Sequence, residues 1–283
     1  MMRPVHLRMF ATLLALALLI GCSSDSGTDT TIKQGNPNDA TFLAVRAEVG
    51  EVIDELVDNS YEPLTNPWGF PLDSINDWPD YSSLHPDDTI DYNYSDDGWY
   101  SLYVGSFATS NVSIVVDSVM FLRNGEAMFN YNSYTDGIEV KRHVNQTYEG
   151  EESDYSEQTI YCEGSFSGVN LATATVDALA EFDVDDYSID GSSTMHINSE
   201  YTVTVTDMQF DREHEFAQWD NAAPQGGSIS LSVTRTTEVT VDNTTTNTSG
   251  DWNITVTFSS NGTASIEVIS NNTRWTYSDT FGS

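Results

Sequence analysis

Two acidic stretches carry the residue types best suited to hold a divalent cation. Asp87, Asp88, Asp91, Asn93, Asp96 and Asp97 lead up to Gly98, and Asp183, Asp185, Asp186 and Asp190 lead up to Gly191. Calcium is held by several carboxylate and carbonyl oxygens in loops that a glycine helps to turn. Asp91, Asn93, Asp96, Asp97, Asp185 and Asp190 are therefore the candidate ligands. An EF-hand is excluded: counting from Asp91, the glycine falls two places late and Leu102 stands where a bidentate Glu is needed. Any calcium site here is non-standard, and the competing reading is a solvated acidic loop.

Catalytic chemistry is less well marked. Asp211-Arg212-Glu213-His214-Glu215 sets a histidine between carboxylates that could orient it as a base, but the run is hydrophilic and reads as a loop between strands. His143 and His196 stand apart on strand-like segments. There is no G-x-S-x-G elbow, H-E-x-x-H, phosphate-cradling glycine loop or Cys/His zinc spacing. Trp68, Trp78, Trp99, Trp219 and Trp275 have the ring type that stacks on sugars. Glycoside hydrolysis would also need two carboxylates at a set separation, which a chain this acidic offers in many combinations. No catalytic residue and no organic cofactor site is assigned.

The charge limits the partners. Against 44 acids stand 10 Lys and Arg, a formal net charge of −34. Nucleic-acid binding needs a basic footprint, and close adsorption to anionic headgroups is disfavoured as well. Acidity of this kind fits either a saline habitat, where salt screens self-repulsion, or cation binding. The chain has two cysteines, Cys22 and Cys162. Cys162, between Tyr161 and Glu163 in a strand-like run, reads as a buried inert thiol.

At the N-terminus, Arg3 and Arg8 precede an apolar run from Met9 to Leu18, which ends in Leu19-Ile20-Gly21-Cys22. The run is too short for a membrane span, and a basic start with a short apolar core is the pattern of an export signal. The ending resembles the lipobox of bacterial lipoproteins. That resemblance covers only the first 22 residues. It implies cleavage before Cys22, lipidation of its thiol and anchoring in the cell envelope; Ser23 after the cysteine implies the outer membrane. Residues 22–38 then read as a lipidated cysteine and a Ser/Asp/Thr/Gly/Asn-rich tether.

Beyond the tether, residues 39–283 read as a single β-rich domain. Phe42, Val45, Val49, Val52, Ile53 and Leu56 recur at helical spacing, which predicts one amphipathic helix over 39–60. Residues 61–97 carry Pro63, Pro67, Pro71, Pro79 and Pro86 among aromatics and predict a long loop. From 98 to 280 the pattern has period two. Tyr201, Val203 and Val205 alternate with Thr202, Thr204 and Thr206; Ile229, Leu231 and Val233, and Ile254, Val256 and Phe258, behave alike. Alternation with one polar face means antiparallel strands, half buried.

Asn124-Gly125, Asp136-Gly137, Asp190-Gly191 and Asn261-Gly262 predict hairpin turns. Strands are predicted at 98–107, 111–123, 126–134, 137–148, 157–167, 171–184, 193–208, 227–241, 251–259, 262–270 and 273–280. Such long strands in meander order fit a large twisted antiparallel sheet, a half-barrel or an up-and-down barrel, with the helix packed on it.

The functional expectation is a membrane-anchored, non-catalytic envelope lipoprotein, a binding or structural module. An unclosed barrel carrying an apolar or lipid ligand is one form of it, by analogy of architecture alone. The alternative class is a surface-anchored hydrolase of glycans or esters. Oligomeric state is left open.

Overall fold

The computed structural model describes residues 32–38, helical residues within 42–57, and 89–281 apart from 109–110, 150–153, 191–192 and 212–222. The expected lipobox, Cys22, Trp68, Trp78, Trp219, His214 and Gly191 lie outside the described residues, as does most of the proline-rich segment.

Thirteen strands form one sheet. They are β1 (Lys33–Gln34), β2 (Thr89–Tyr94), β3 (Tyr100–Ala108), β4 (Asn111–Arg123), β5 (Glu126–Met128), β6 (Gly137–Glu149), β7 (Tyr155–Ser167), β8 (Thr173–Asp190), β9 (Ser193–Asp211), β10 (Pro224–Val241), β11 (Thr244–Phe258), β12 (Thr263–Ser270) and β13 (Thr273–Thr280). Neighbours in sequence are neighbours in space from β6 to β13. At one end β6 pairs β4 and the path runs on through β3 to β2, with β5 folded back on β4. Every pairing is antiparallel except β1, which runs parallel to β13.

The path ends at β1 and β2, which do not pair. The sheet is open, so the up-and-down barrel among the expectations is not what forms. Two further expectations are corrected. Thr89–Tyr94 is a strand on the sheet rather than part of a loop. Lys33–Gln34, expected to be tether, covers the start of the β13 edge, whose backbone groups would otherwise be unpaired.

The strands obey the period-two rule because one face is covered and the other is wet. Val144, Ile160, Phe182, Tyr201, Val233 and Trp252 stand side by side on six strands, and all are buried. A one-residue slip would turn that whole row to water. Where β9 does break the alternation, it does so usefully. Val205 and Met208 are both buried although three apart, because Asp207 is an inserted bulge residue at φ +49. The bulge keeps Met208 and Phe210 facing inward. Gly227 on β10 lies against it: a Cβ there would collide with the Asp207 carbonyl.

Turn chemistry shows one success and two differences. Asn124-Gly125 takes positive φ at both residues, as expected. Asn261-Gly262 instead lies in a 3-10 turn, Ser260–Gly262, and Gly137 already belongs to β6, with the Asp136 carboxylate accepting the Asn124 N–H at 2.8 Å. Asp242-Asn243 and Asn271-Asn272, with no glycine, also hold positive φ at both residues. Asn and Asp are the other residues that tolerate the left-handed region.

The described residues between 42 and 57 are helical. Phe42, Val49, Val52, Ile53, Leu56 and Val57 are buried, and from Val49 on they share one apolar cluster with the covered face of the sheet. Phe42 stacks on Trp275, with centroids 5.5 Å apart, and sets its edge against Tyr277. Arg46 sits 4.6 Å from the Tyr277 ring and 3.6 Å from Asp279.

Candidate functional site

On the wet face, Ser118, Lys141, Glu163, Leu179 and Thr204 stand abreast across β4, β6, β7, β8 and β9. Here the sheet forms a groove of about 390 Å³, whose chemically distinct lining residues are Trp99, Glu139, Lys141, Glu163, Asp177 and Leu179. Two local devices shape it. At one side Trp99 is fixed by the β2–β3 turn: Ser95 N–H donates to the Trp99 carbonyl at 2.9 Å, and Trp99 N–H donates to Ser95 Oγ at 3.1 Å. Gly98 serves this turn at φ +92, with Ala127 so near that a Cβ could not fit. At the other side lies the bulge, where Asp207 N–H donates to Asp177 Oδ1 at 2.8 Å. Bulges beside clefts commonly re-aim a side chain.

The groove is amphipathic and negative. Lys141 Nζ lies 4.5 Å from the centre of the Trp99 ring, a cation–π contact that fixes both groups. Tyr161 donates its hydroxyl to Glu163 Oε2 at 2.7 Å, and that acceptor holds the phenol above its ordinary range. Glu163 and Asp177 are thus oriented acceptors, and Glu139, Glu163 and Asp177 outweigh the one lysine.

A second polar cluster lies on the same face farther along the strands. Tyr155, Tyr187 and His196 stand abreast on β7, β8 and β9, the two phenol rings stacked with centroids 5.6 Å apart. His196 Nε2 is 2.5 Å from Asp185 Oδ1. His196 is therefore not the isolated residue expected from the sequence. Burial and the Asp185 carboxylate, in that order, raise the Tyr155 phenol above its ordinary range.

Directly behind the groove, the covered face carries an ion pair. Asp117, Arg142 and Cys162 are cross-strand neighbours in a row that continues through Ala180 and Val203. Asp117 is 3% exposed and receives Arg142 Nε and Nη2, each at 2.7 Å. Burial pushes the Asp117 carboxyl up, and Arg142 pulls against it. The Cys162 thiol is pushed up to about 11, chiefly by burial. Cys162 is half-buried against the apolar cluster, not fully buried as expected.

The candidate calcium ligands are spread over two strands and a turn, and the side chain of Asp190 lies outside the described residues. Asp91 and Asn93 are exposed on β2, Asp96 and Asp97 are exposed in the turn before Trp99, and Asp185 is engaged by His196. Asp190 ends β8. Among the described residues, no three His, Cys, Asp or Glu side chains gather as a metal site. Of the tryptophans named for sugar stacking, Trp99 lines the groove, whereas Trp275 is packed between Phe42 and Trp252. Sequence reasoning missed Glu139, Lys141, Glu163 and Asp177. Alternation alone puts Lys141 and Glu163 on the wet side, but only strand pairing makes them neighbours.

No protein-family model, curated protein or solved structure is significantly similar to this chain.

Proposed function

We propose that the chain is a non-catalytic binding module of the bacterial envelope, anchored through lipid on Cys22 at the outer membrane, whose wet face holds a glycan in the Trp99 groove. In this reading the open sheet curls as a half-barrel and the amphipathic helix packs on its covered face. The observation that carries the proposal is the Trp99 indole, set at the groove by its own turn among Glu139, Glu163 and Asp177. An aromatic face binds the C–H face of a sugar ring, and fixed carboxylates accept its hydroxyls. The net negative charge of the groove selects neutral or amino sugars over uronic or sulfated ones.

The carrier form of the expectation has less support. It needs an open apolar space behind the strands, and the inward side chains of β6–β12 belong to one packed cluster instead. The hydrolase alternative uses the same groove and needs a carboxyl free to give up a proton. Of the three groove carboxylates, Glu163 and Asp177 are engaged by the Tyr161 hydroxyl and the Asp207 amide, which leaves Glu139 where hydrolysis needs a pair.

The test is a calorimetric titration with neutral, amino and acidic oligosaccharides, comparing the native chain with Trp99→Ala. Saturable binding of neutral or amino sugars that disappears in the variant is expected. Equal binding by Trp99→Ala, or none by either protein, overturns the glycan reading; new reducing ends in the mixture would move it to the hydrolase. Labelling with radioactive palmitate, lost in Cys22→Ser, tests the anchor.

A further inference from the structure

The Trp99 groove does not exhaust the wet face of β7 and β8. Glu163 and Leu179 line the groove and oppose each other. Beyond them the two strands stay in register, and their next outward pairs are Tyr161–Glu181, Thr159–Asp183 and Glu157–Asp185. The run ends at Tyr155–Tyr187. Tyr155 lies eight residues from Glu163 along β7, about 27 Å at the antiparallel rise.

The far end is a fixed aromatic cluster standing in water. The rings of Tyr155, Tyr187 and His196 form a compact triangle, with centroids 5.6, 6.1 and 6.4 Å apart. Tyr155 Oη lies 3.4 Å from Asp185 Oδ1 and 3.5 Å from His196 Nε2, and Asp185 also holds His196. The side chains of His196 and Asp185 are nevertheless 40% and 37% exposed. Between this cluster and the groove, Tyr161 is 37% exposed, with its hydroxyl tied to Glu163. Aromatic surface left in water is costly, and a ring laid against it recovers that cost.

Charge and spacing act in the same direction. Neither β7 nor β8 contains a Lys or Arg, while Glu157, Glu181 and Asp183 are exposed. Outward pairs recur every second residue, at intervals of about 6.8 Å along the strands. A repeating polymer matches such a surface, whereas a small molecule would use a single interval.

We infer that the ligand of the Trp99 groove is an extended oligosaccharide, laid along β7 and β8 from Trp99 to a second aromatic anchor at Tyr155 and Tyr187. This rests on the glycan reading of the groove and adds to it a direction, a length and a second anchor. Aromatic groups at both ends take the C–H faces of sugar rings, and the carboxylates between them accept hydroxyls. A chain of amino sugars gains further, because its ammonium groups meet Glu181, Asp183 and Asp185 with no basic side chain of either strand in competition.

The full chain, held in non-ionic detergent, is titrated calorimetrically with glucose and glucosamine oligomers from the disaccharide to the hexasaccharide. Affinity should climb with length, the hexasaccharide binding about tenfold tighter than the disaccharide, as one good aromatic contact allows. Tyr155→Ala combined with Tyr187→Ala should return the hexasaccharide to the disaccharide's affinity and leave the disaccharide unchanged. These substitutions alter no charge, so a general attraction of amino sugars to the acidic surface would survive them. In the native chain, the His196 ring-proton resonances, identified through His196→Gln, should shift with the hexasaccharide and not with the disaccharide. That measurement decides the matter should the double variant fail to fold. Affinity independent of length, a gain that survives loss of both rings, or an unmoved His196 overturns the extended site and leaves the groove standing. Binding by no oligomer removes the groove reading and this one with it.

Discussion

Lys141 and Arg142 are consecutive residues on one strand, and they work in two different solvents. Lys141 is exposed on the wet face, with its ammonium over Trp99. Arg142 faces the other way, 18% exposed at its side chain, clamped in two places by a carboxylate that is itself buried. Glu163 and Cys162, their partners on β7, divide in the same way. Identical backbone, pairing and position along the sheet thus give two chemistries. Water attenuates every charge interaction on one face; on the other, an unpaired charge is very costly. Polar groups of the wet face can be satisfied by water, whereas those of the covered face must satisfy one another.

The largest effect should come from removing one half of the covered pair. Arg142→Ala leaves Asp117 buried without its cation and should cost about 3–5 kcal/mol in urea unfolding. Replacing both residues by leucine and methionine should recover most of that loss. If Arg142→Ala and Lys141→Ala unfold at the same urea concentration, the contrast between the faces is wrong.

Apolar truncation gives the next effect. Val203→Ala and Ile254→Ala should lose about 2–4 kcal/mol, and their outward neighbours Thr204→Ala and Thr255→Ala less than about 0.5 kcal/mol. Thermal melts of the four variants make the measurement.

A smaller, chemical effect concerns Cys162. With its thiol held near 11, the thiolate fraction at pH 8 is low, and the folded protein should react with an aromatic disulfide reagent far more slowly than the unfolded chain. Fast labelling of the native protein would place Cys162 on the wet side.

The smallest effect is on stability at high pH. Burial pushes the Tyr277 phenol up to about 12, above the ordinary value of 10.0 that applies in the unfolded chain. Between those two values the folded state keeps a proton that the unfolded state has lost, so stability should fall as pH rises through that window. Tyr277→Phe should flatten the fall, read from urea unfolding repeated across that pH window.

How much of this was legible beforehand differs from element to element. The strand ranges 111–123 and 273–280 agree with β4 and β13, because a continuous alternation bounded by turn residues is a local signal. β8, β10 and β11 extend beyond their expected limits. Their ends are Asp-, Gly-, Thr- and Asn-rich, and it is pairing with neighbours, not propensity, that holds them extended. The turns at Asp242-Asn243 and Asn271-Asn272 carry no glycine to mark them, and Asp and Asn supply the positive φ instead. In the site, Trp99 was named from its type. Its companions Lys141, Glu163 and Asp177 were not, since residues this far apart in sequence become neighbours only through strand order.

The sequence by itself determined that this is a β protein with one wet face, an acidic surface and a single helix-patterned segment, because periodicity and charge are properties of neighbouring residues. It also carried Leu19-Ile20-Gly21-Cys22, a wholly local run that resembles a lipobox. The tertiary structure decided that the sheet stays open, that Arg142 meets Asp117, that the Asp207 bulge returns Met208 and Phe210 to the core, and that Trp99 stands at the mouth of a carboxylate-lined groove. Each of those depends on which strands lie side by side and in what register. That choice is made by burying the whole sheet face at once, and no short stretch of sequence contains it.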